Sequence, residues 1–588
     1  MQFLRYAALP LLGGLIVAPA TFAEPARQST NWSSYNQNMN GQRYVPLEQI
    51  NRDNAAQLGE VCKLKVDDLG AFHSSVLHID GTLYFTTATD TLAVDATNCK
   101  LRWRHHYVEQ EFGMTTLRVN RGVAYANGRL FRGTVDARLI AIDAKTGETV
   151  WQNQVGDPQV GEFFSAAPQV YQGLVILGAA GGDWGIRGRV MAFDAATGRE
   201  VWRFYTIPRG DEPGADSWVV ADSARFGGGG TWTTYTIDIA AGELFVPVGN
   251  PAPDLLPHKR PGENLFTNSL VVLDAATGKI KWYHQLLGND SQDLDLGAAP
   301  VLYHNKNGER MVAFGSKDGY VYGVNRETKA RVFKTQVTTI KNAGVVVGTV
   351  DWCATLAAQA EDFEYKPGQF AFGGTFTFGD EASGWVYSLD ADTGAVRWKR
   401  KTAGPHVAGV TPTAGGVLFT GDLGSNFFAL DTANGKTLYE TKVSGGLAGG
   451  VITYLRGGKQ YVAFLSGNVS RITFGNAGSP TLNIFALGAQ QTSSNAAPAP
   501  ATKAATTAGK ANPAAGKITY GQVCAMCHGT QGEGATGPAL ADVSSRLGTP
   551  RVIEWIKNPS AKMPKLYPAM LDEQKVRDVA AYLEKLGK

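Results

Sequence analysis

The sequence predicts a large all-β propeller followed by a small all-α domain, and three observations predict this fold class. A short motif that joins a turn to an aromatic residue recurs along most of the 588-residue chain. The 70 glycines, 12 tryptophans and 21 tyrosines are typical of a β-protein with many turns and aromatic packing. A low-complexity segment then separates this part from a final stretch with helical periodicity.

Composition and charge exclude several classes of protein. Hydrophobic residues make up 44% of the chain and charged residues 18%, which excludes a wholly disordered, collagen-like or coiled-coil protein. The 55 Lys and Arg residues against 52 Asp and Glu leave a formal charge of +3, without the strong positive excess of a nucleic-acid-binding protein. We therefore expect no nucleic-acid partner.

The N-terminus has the features of a signal peptide. Arg5 precedes an apolar run at 6–18, and Thr21-Phe22-Ala23 places small residues where a signal peptidase cleaves. The run is shorter than the roughly 20 apolar residues that span a bilayer, and no later segment is long and apolar enough to do so. The sequence predicts a signal peptide at 1–23, no transmembrane segment and a periplasmic mature protein.

The repeated motif sets the architecture of the main domain. Clear copies are DAKTGETVW from Asp143, DAATGREVW from Asp194, DAATGKIKW from Asp274 and DADTGAVRW from Asp390; degenerate copies start at Asp95, Asn325 and Asp431. Each Asp-x-x-Thr-Gly predicts a hairpin turn with its Gly at positive φ, between strands such as 139–142 and 271–273. The aromatic residue is expected to dock between neighbouring sheets. Repeats of this length predict a β-propeller.

A haem attachment motif follows the linker. Residues 489–516 contain no aromatic or branched apolar residue apart from threonine, and they predict a flexible tether. Cys524-Ala525-Met526-Cys527-His528 is a CxxCH motif, in which two thiols form thioethers with haem vinyl groups and the imidazole binds iron. Helical patterns near 518–527, 550–557 and 571–586 predict a small class I cytochrome c domain at 517–588.

The main domain resembles the pyrroloquinoline quinone (PQQ) dependent alcohol dehydrogenases. The resemblance lies in the tryptophan-docking motif, in Trp32-Ser33-Ser34-Tyr35 with Arg43-Tyr44-x-Pro46-Leu47, and in Gly249-Asn250-Pro251-Ala252-Pro253. It covers roughly residues 30 to 487 and implies an eight-bladed propeller at 24–488, with the closing blade shared by the two ends. With the cytochrome domain, the chain is identified as a quinohaemoprotein alcohol dehydrogenase. Because propellers of similar sequence also serve as non-enzymatic assembly scaffolds, function has to be argued from the site.

The resemblance also implies the residues of the quinone site. Asp293 matches the catalytic base, and Asp183, Asn250, Asp293 and Asp295 match the ligands of Ca²⁺ or of a lanthanide, since in this family an Asp at the position of Asp295 accompanies lanthanide use. If the segment 293–295 is extended, Asp293 and Asp295 share one face. The residues expected to bind PQQ are Arg121, Ser165, Trp232 and Lys317. A cation beside Asp293 is expected to lower the pKa of its carboxyl.

Several positions depart from the family pattern. Thr115-Thr116 stand where the family has adjacent cysteines, and His73 stands where it has a cofactor-binding Glu. The cavity-capping tryptophans are replaced around His406-Val407 and residues 468–471. These changes fit a wider, more polar cavity for a bulky or secondary alcohol, or a propeller that has lost its cofactor; the convergent charges favour the enzyme.

The haem iron needs a sixth ligand, and two methionines compete for that role. Met563, in Lys562-Met563-Pro564, is the expected axial ligand because it lies on a loop before the last helix, and Met570 is the alternative. The expected reaction is oxidation of an alcohol by PQQ, with electrons passing to haem c. An external acceptor, either a soluble cytochrome c, a copper protein or a respiratory chain, would then be reduced. A sugar or polyol dehydrogenase and a non-catalytic electron-transfer or assembly protein are the alternatives.

Three cysteines lie outside the haem motif. Cys62 and Cys99 are expected to pair in an oxidising compartment and to clip the first blade, with two buried free thiols as the alternative. Cys353, in Asp351-Trp352-Cys353, is then expected to be an unpaired core residue.

Overall fold

Eight antiparallel sheets form the main domain of the computed structural model. The structure describes residues 30–68, 70–110, 117–338, 348–358, 363–468, 478–489, 510–529, 531–534, 537–560, 563, 566–567 and 571–586. The predicted signal peptide, Thr115-Thr116, Met570 and most of the predicted linker lie outside these residues, as does the side chain of Cys353.

The first four blades follow one another along the chain after strand β1. Their bounds are β1 (Leu58–Lys65); blade 1, β2 (Leu77–Ile79), β3 (Thr82–Thr86), β4 (Asp90–Asp95), β5 (Leu101–His106); blade 2, β6 (Ala124–Ala126), β7 (Arg129–Gly133), β8 (Arg138–Asp143), β9 (Thr149–Gln154); blade 3, β10 (Gln169–Tyr171), β11 (Leu174–Gly178), β12 (Arg189–Asp194), β13 (Glu200–Tyr205); blade 4, β14 (Thr236–Asp238), β15 (Glu243–Pro247), β16 (Ser269–Asp274), β17 (Ile280–Gln285).

The remaining blades complete the ring, and β1 belongs to the last of them. Their bounds are blade 5, β18 (Val301–His304), β19 (Arg310–Gly315), β20 (Tyr320–Asn325), β21 (Arg331–Gln336); blade 6, β22 (Gly348–Ala358), β23 (Gly374–Leu389), β24 (Val396–Thr402); blade 7, β25 (Thr411–Pro412), β26 (Val417–Gly421), β27 (Asn426–Asp431), β28 (Thr437–Lys442); blade 8, β29 (Ile452–Arg456), β30 (Lys459–Ser466), β31 (Thr481–Leu487) with β1. The predicted eight-bladed propeller, closed by both chain ends, is confirmed.

Each repeated motif joins the last two strands of its blade, which are the third and fourth strands except in the three-stranded blade 6. The fourth position after the opening Asp or Asn has positive φ in all seven copies: Cys99, Gly147, Gly198, Gly278, Lys329, Gly394 and Gly435. The aromatic residue of one blade packs against this turn of the next: a Cβ on Gly147 would lie 2.7 Å from the Trp103 ring, whose Nε1 donates to the Ala144 carbonyl at 3.2 Å. The predicted docking is confirmed.

The apolar cores lie between neighbouring blades. Third strands such as β8 and β16 are almost wholly buried, whereas fourth strands such as β5 and β9 are largely exposed and form the outer edge. One cluster joins Leu77 of blade 1 to Ile140 of blade 2. Another joins Ile484 of blade 8 to Phe85 of blade 1, so the ring closes by the same packing that builds it.

A disulfide joins Cys62 to Cys99, which confirms the predicted pair but corrects its place. Cys62 lies on β1 of blade 8 and Cys99 in the motif turn of blade 1, so the bridge joins two blades instead of clipping one. Cys62 pairs with Ile484 next to a bulge, just as Trp103 pairs with Ala93 next to a bulge. The disulfide therefore replaces the aromatic docking contact at the point where the ring closes.

The C-terminal residues form a small helical domain. Its helices are α1 (Pro513–Val523), α2 (Ala525–His528), α3 (Val543–Leu547), α4 (Thr549–Lys557) and α5 (Glu573–Leu583). Helix α1 begins four residues before the predicted boundary because Asn512 caps it and Pro513 takes the first helical position. Helices α1 and α5 pack together, with Tyr520 beside Tyr582. No helix among the described residues is both long enough and apolar enough to cross a membrane.

Candidate active site

The topology gathers the predicted site residues at one end of the propeller. Strands alternate in direction within a blade, so the loops between second and third strands lie at the same end as the connections between blades. Asp183, Asn250 and Lys317 lie on loops of the first kind in blades 3, 4 and 5. Connections between blades carry Arg121, Ser165, Trp232, Asp293 and Asp295. The motif turns lie at the opposite end.

Lys317 and two aspartates form the charged centre of this end. The Nζ atom of Lys317 lies 2.7 Å from Asp293 Oδ1 and 2.6 Å from Asp295 Oδ2. The backbone N–H of Lys317 also donates to the Asp295 carbonyl at 2.9 Å, which fixes the two loops against each other. Burial opposes the charge on Lys317, but the two carboxylates outweigh it and raise the pKa of the amine well above its usual value.

Hydrogen bonds to Asp290 and from Asn268 fix the loop that carries Asp293. Asp290 accepts hydrogen bonds from the backbone N–H groups of Gln292, at 2.9 Å, and Leu294, at 2.7 Å. Asn268 donates to both Asp290 Oδ2 and the Leu294 carbonyl. Asp293 itself has φ of 60°, so the segment is not the extended strand that the sequence suggested. The condition for a shared strand face is therefore not met, although both carboxylates contact Lys317 Nζ.

A cluster of three carboxylates lies beside this ion pair. One oxygen each from Asp183, Asp254 and Asp293 lies within 4.8 Å of the others. Asp183 is placed by a tight turn at Gly182–Trp184, bounded by Gly181 and Gly185 in the left-handed region. Asp254 follows the Asn250 segment and is buried. Asp295 stands next to the cluster, where its Oδ1 accepts the Asn250 N–H at 2.8 Å.

Without a cation, burial makes charge in this cluster unfavourable. Burial and then Asp295 raise the pKa of Asp183 to about 6. Burial, followed by Asp183 and Asp293, raises the pKa of Asp254 well above its usual value. Burial also raises the pKa of Asp293, although Lys317 opposes the shift. Lys317 alone does not lower the pKa of Asp293 below its usual value. The lowered pKa that we expect for this carboxyl therefore requires a bound metal ion.

The chemistry of the cluster fits a hard cation. The carboxylate oxygens of the cluster lie close enough together to bind one cation. Neither oxygen of Asp254 accepts a hydrogen bond from any described residue. Buried carboxylates without partners are costly, and Ca²⁺ and similar ions bind such oxygens. The residues present therefore fit the cation that the resemblance implies.

Arg121, Ser165 and Trp232 form a second cluster next to the first. The Arg121 guanidinium lies 4.8 Å from the centre of the Trp232 ring, and both Arg121 Nη1 and Ser165 Oγ donate to the Trp232 carbonyl at 3.1 Å. Burial lowers the pKa of Arg121. The far edge of the Trp232 ring reaches Gly297, two residues beyond Asp295, so the two clusters adjoin. A flat aromatic face beside a half-buried guanidinium suits a planar, carboxylated ring system.

Two of the departures from the family pattern are described by the structure. His73 lies near Arg121, and burial together with that positive charge lowers its pKa to about 3, so the ring is neutral. His406 is fully buried, with its Nε2 2.8 Å from Thr420 Oγ, and burial lowers its pKa to about 4. Asn468 is buried, and residues 469–471 lie outside the described residues.

The haem motif lies at the start of the helical domain. Cys524 is the C-cap of α1 and Cys527 lies in α2. His528 is buried with its Nδ1 2.8 Å from the Pro538 carbonyl. This hydrogen bond fixes the ring and leaves Nε2 as the nitrogen that can bind iron. Met563 lies in a bend and is half-buried, with its backbone N–H bonded to the Ser560 carbonyl.

The structure thus brings all the predicted quinone-site residues to one end, and it adds residues that the sequence analysis missed. Asp254 joins the acidic cluster, while Asp290 and Asn268 support its loop. Asp254 stands four residues after Asn250, but this spacing alone does not distinguish a ligand from a turn residue.

Family models match both parts of the chain. Residues 32–355, more than half of the chain, match the PQQ-dependent glucose/ethanol/alcohol dehydrogenase β-propeller domain. Residues 511–583 match a cytochrome c model described as cbb3-type cytochrome c oxidase subunit III. Residues 382–474 match a propeller model described as the outer membrane protein assembly factor BamB.

Individual relatives resemble the chain over most of its length. It is 31% identical to the dehydrogenase subunit of the quinone alcohol dehydrogenase of Gluconacetobacter polyoxogenes, over 74% of this chain and 71% of that protein. It is 28% identical to quinohemoprotein alcohol dehydrogenase ADH IIB of Pseudomonas putida, over 85% of this chain and 84% of that protein. The solved structure of ADHIIG from Pseudomonas putida HK5 has the same fold, with a TM-score of 0.74, 23% identity and 95% of each chain covered.

The matched family models, the relative above 30% identity and the residues gathered at one end of the ring agree with one another. The chain belongs to the PQQ-dependent quinohaemoprotein alcohol dehydrogenases, enzymes whose cofactors are PQQ and haem, and it carries a C-terminal cytochrome c domain.

Proposed function

We propose that this enzyme oxidises a small-molecule alcohol, including bulky or secondary alcohols, in the periplasm, with Asp293 as the catalytic base. The observation that carries the proposal is the convergence of Lys317, Asp293 and Asp183 at one end of the ring. PQQ, when bound, supplies the acceptor for the hydride of the carbinol carbon. Asp293 takes the hydroxyl proton, because its side chain is 27% exposed, whereas that of Asp295, the other carboxylate paired with Lys317, is 5% exposed.

The other residues bind and orient. Arg121 and Ser165 would hold cofactor carboxylates, Trp232 would support its flat ring, and Lys317 would donate to its quinone oxygens. Asp183, Asn250, Asp293 and Asp295 would hold Ca²⁺ or a lanthanide. A cation there compensates the buried negative charge and lowers the pKa of Asp293, so that the base is ionised at neutral pH.

The cytochrome domain would take the electrons onward. Cys524 and Cys527 would bind haem c covalently, and His528 and Met563 would be its axial ligands. A soluble cytochrome c, a copper protein or a respiratory chain would be the external acceptor. The predicted signal peptide at 1–23 and the Cys62–Cys99 disulfide both support a periplasmic location.

Replacing the base tests the proposal directly. Protein reconstituted with PQQ and Ca²⁺, and in parallel with a light lanthanide, is expected to reduce a dye with some members of a panel of alcohols, sugars and polyols. Asp293→Asn should lower kcat by about 10²- to 10⁴-fold, the usual contribution of a general base, while the haem spectrum stays unchanged.

The matched control is Asp211→Asn, which removes an exposed aspartate from the connection between blades 3 and 4 and should leave kcat unchanged. Full activity of Asp293→Asn would assign the base elsewhere. Activity with sugars or polyols alone would change the substrate class.

A further inference from the structure

Asp254 is a buried acid without a hydrogen-bond donor. Its residue is 1% exposed, and neither of its carboxylate oxygens accepts a hydrogen bond from any residue within the described part of the chain. One of these oxygens lies within 4.8 Å of oxygens from Asp183 and Asp293. A buried carboxylate in this state needs a cation or a proton to be stable.

The neighbouring arginine does not supply the missing donor. Arg260 is fully buried and has five N–H groups. Two of them donate to the backbone carbonyls of Asp254 and Asp290, one to the Pro253 carbonyl, and two to the side-chain oxygens of Asn264 and Asn289. Arg260 therefore positions the backbone of Asp254 and leaves its carboxylate free to face the cluster.

The lysine of the site is also engaged. Lys317 pairs with Asp293 and Asp295, at 2.7 and 2.6 Å. When Asp183 and Asp254 are ionised as well, the site holds four carboxylates against two cations, Lys317 and Arg260. The electrostatic attraction of this site therefore grows with the charge of a bound cation, and a trivalent ion gains more than a divalent one.

We propose that Asp254 is a direct ligand of the cation that Asp183 and Asp293 bind, and that it increases the preference of the site for a trivalent lanthanide over Ca²⁺. This inference rests on the cation site of the proposed function and adds a residue to it. The competing arrangement is a protonated Asp254 that shares its proton with a neighbouring carboxylate and does not contact the metal.

Europium(III) luminescence separates the two arrangements. The full-length, haem-containing protein is stripped of metal with a chelator and titrated with Eu³⁺, and luminescence decay rates in H₂O and D₂O count the waters bound to the ion. Asp254→Ala should weaken Eu³⁺ binding by about 100-fold or more and add one or two metal-bound waters. Ca²⁺ binding, measured by competition, should weaken less.

A nearby acid provides the matched control. Glu263→Gln removes an exposed carboxylate from the same segment, and it should leave both Eu³⁺ affinity and hydration within twofold of the wild type. If Asp254→Ala fails to fold, Asp254→Asn keeps the side-chain shape and should still lose more affinity for Eu³⁺ than for Ca²⁺.

Unchanged Eu³⁺ affinity and hydration in Asp254→Ala would overturn the inference and favour the shared proton. Weaker binding with unchanged hydration would also overturn it, because the residue would then act at a distance. These measurements need neither PQQ nor alcohol. A wild type that binds Eu³⁺ through Asp254 but oxidises no alcohol with PQQ would therefore refute the proposed function and leave the inference standing.

Discussion

At the scale of single residues, the acidic cluster opposes its own ionisation until a cation is present. Burial raises the pKa of Asp183 to about 6, and it raises the pKa values of Asp254 and Asp293 in the same direction. A carboxyl whose pKa is higher in the folded than in the unfolded state stabilises the fold below its unfolded pKa, near 4. That stability is lost as the pH rises through the folded pKa.

This sign gives a pH dependence that can be measured. In a chelator, the cluster should lower Tm as the pH rises from about 4, the unfolded pKa, through about 6, the folded pKa of Asp183. Ca²⁺ should remove most of this loss, because it compensates the ionised carboxylates. The difference in Tm between Ca²⁺ and chelator should therefore grow with pH. Buried histidines such as His78 and His406 act in the opposite direction, but they contribute equally to both measurements. A Tm difference between Ca²⁺ and chelator that does not change with pH would contradict this prediction.

The haem ligand is a second question for single residues. Met563→Ala should abolish the sulfur-to-iron charge-transfer band and lower the haem potential, because a thioether ligand raises that potential. Covalent haem attachment through Cys524 and Cys527 should remain. Met570→Ala is the comparison: if it removes the band and Met563→Ala retains it, the ligand is Met570.

Sequence reasoning could name most of the site but not all of it. Arg121, Asp293 and Lys317 stand in motifs that the family resemblance aligns, so their meeting at one end could be predicted. Asp254 stands in a segment of prolines and leucines where an Asp is typical of a turn, and nothing in the local pattern shows that it is buried facing Asp183. The sequence could not show whether the segment 293–295 is extended, because the positive φ of Asp293 accompanies hydrogen bonds to Asp290 from the neighbouring backbone.

At the scale of elements, the repeat was predictable because each motif turn joins two strands of its blade and, except in blade 1, also receives the aromatic ring of the preceding blade. The Asp-x-x-Thr-Gly sequence fixes a hairpin, and the Gly at positive φ leaves room for the aromatic ring of the preceding blade. Blade 6 departs from the pattern, since β23 runs for 16 residues and β20 for six. Gly379-Asp380 and Ser383-Gly384 within β23 are typical of turns, so one strand of this length could not be predicted.

Two glycines of blade 3 allow the energetic cost of positive φ to be measured separately from that of the aromatic docking contact. Gly198 and Gly173 both have positive φ, of 73° and 81°, but a Cβ would lie 2.7 Å from the Trp151 ring at Gly198 and meet nothing within 4 Å at Gly173. Gly173→Ala should cost about 1 kcal/mol of unfolding free energy through backbone strain alone. Gly198→Ala should cost about 1 to 3 kcal/mol more, because the Trp151 ring and the Asn153 amide, whose nitrogen would lie still closer to the Cβ, must move. Equal losses in denaturant titrations would mean that the docking contact contributes little.

At the scale of the whole molecule, ring closure depends on a contact between the two ends of the propeller chain. Strand β1 is the outermost strand of blade 8. It carries Cys62 at the position where the outermost strands of the other blades carry the docking aromatic residue. The sequence could predict that Cys62 and Cys99 pair, because an exported protein favours it. It could not place the bridge between blades, because β1 resembles an ordinary first strand until its pairing with β31 is known.

Removing this bridge should weaken the ring without altering the reaction. The disulfide closes a 37-residue separation, which corresponds to about 4 kcal/mol by loop entropy. Cys62→Ala/Cys99→Ala should therefore unfold at lower denaturant, while kcat at 25 °C stays unchanged, because Cys99 lies in a motif turn at the end opposite Asp293. Reductant should lower the wild-type midpoint to that of the variant and leave the variant unaffected, since the haem thioethers resist reduction. If complete reduction, verified by mass spectrometry, leaves the wild-type midpoint in place, aromatic and apolar packing between blades 8 and 1 is enough to close the ring.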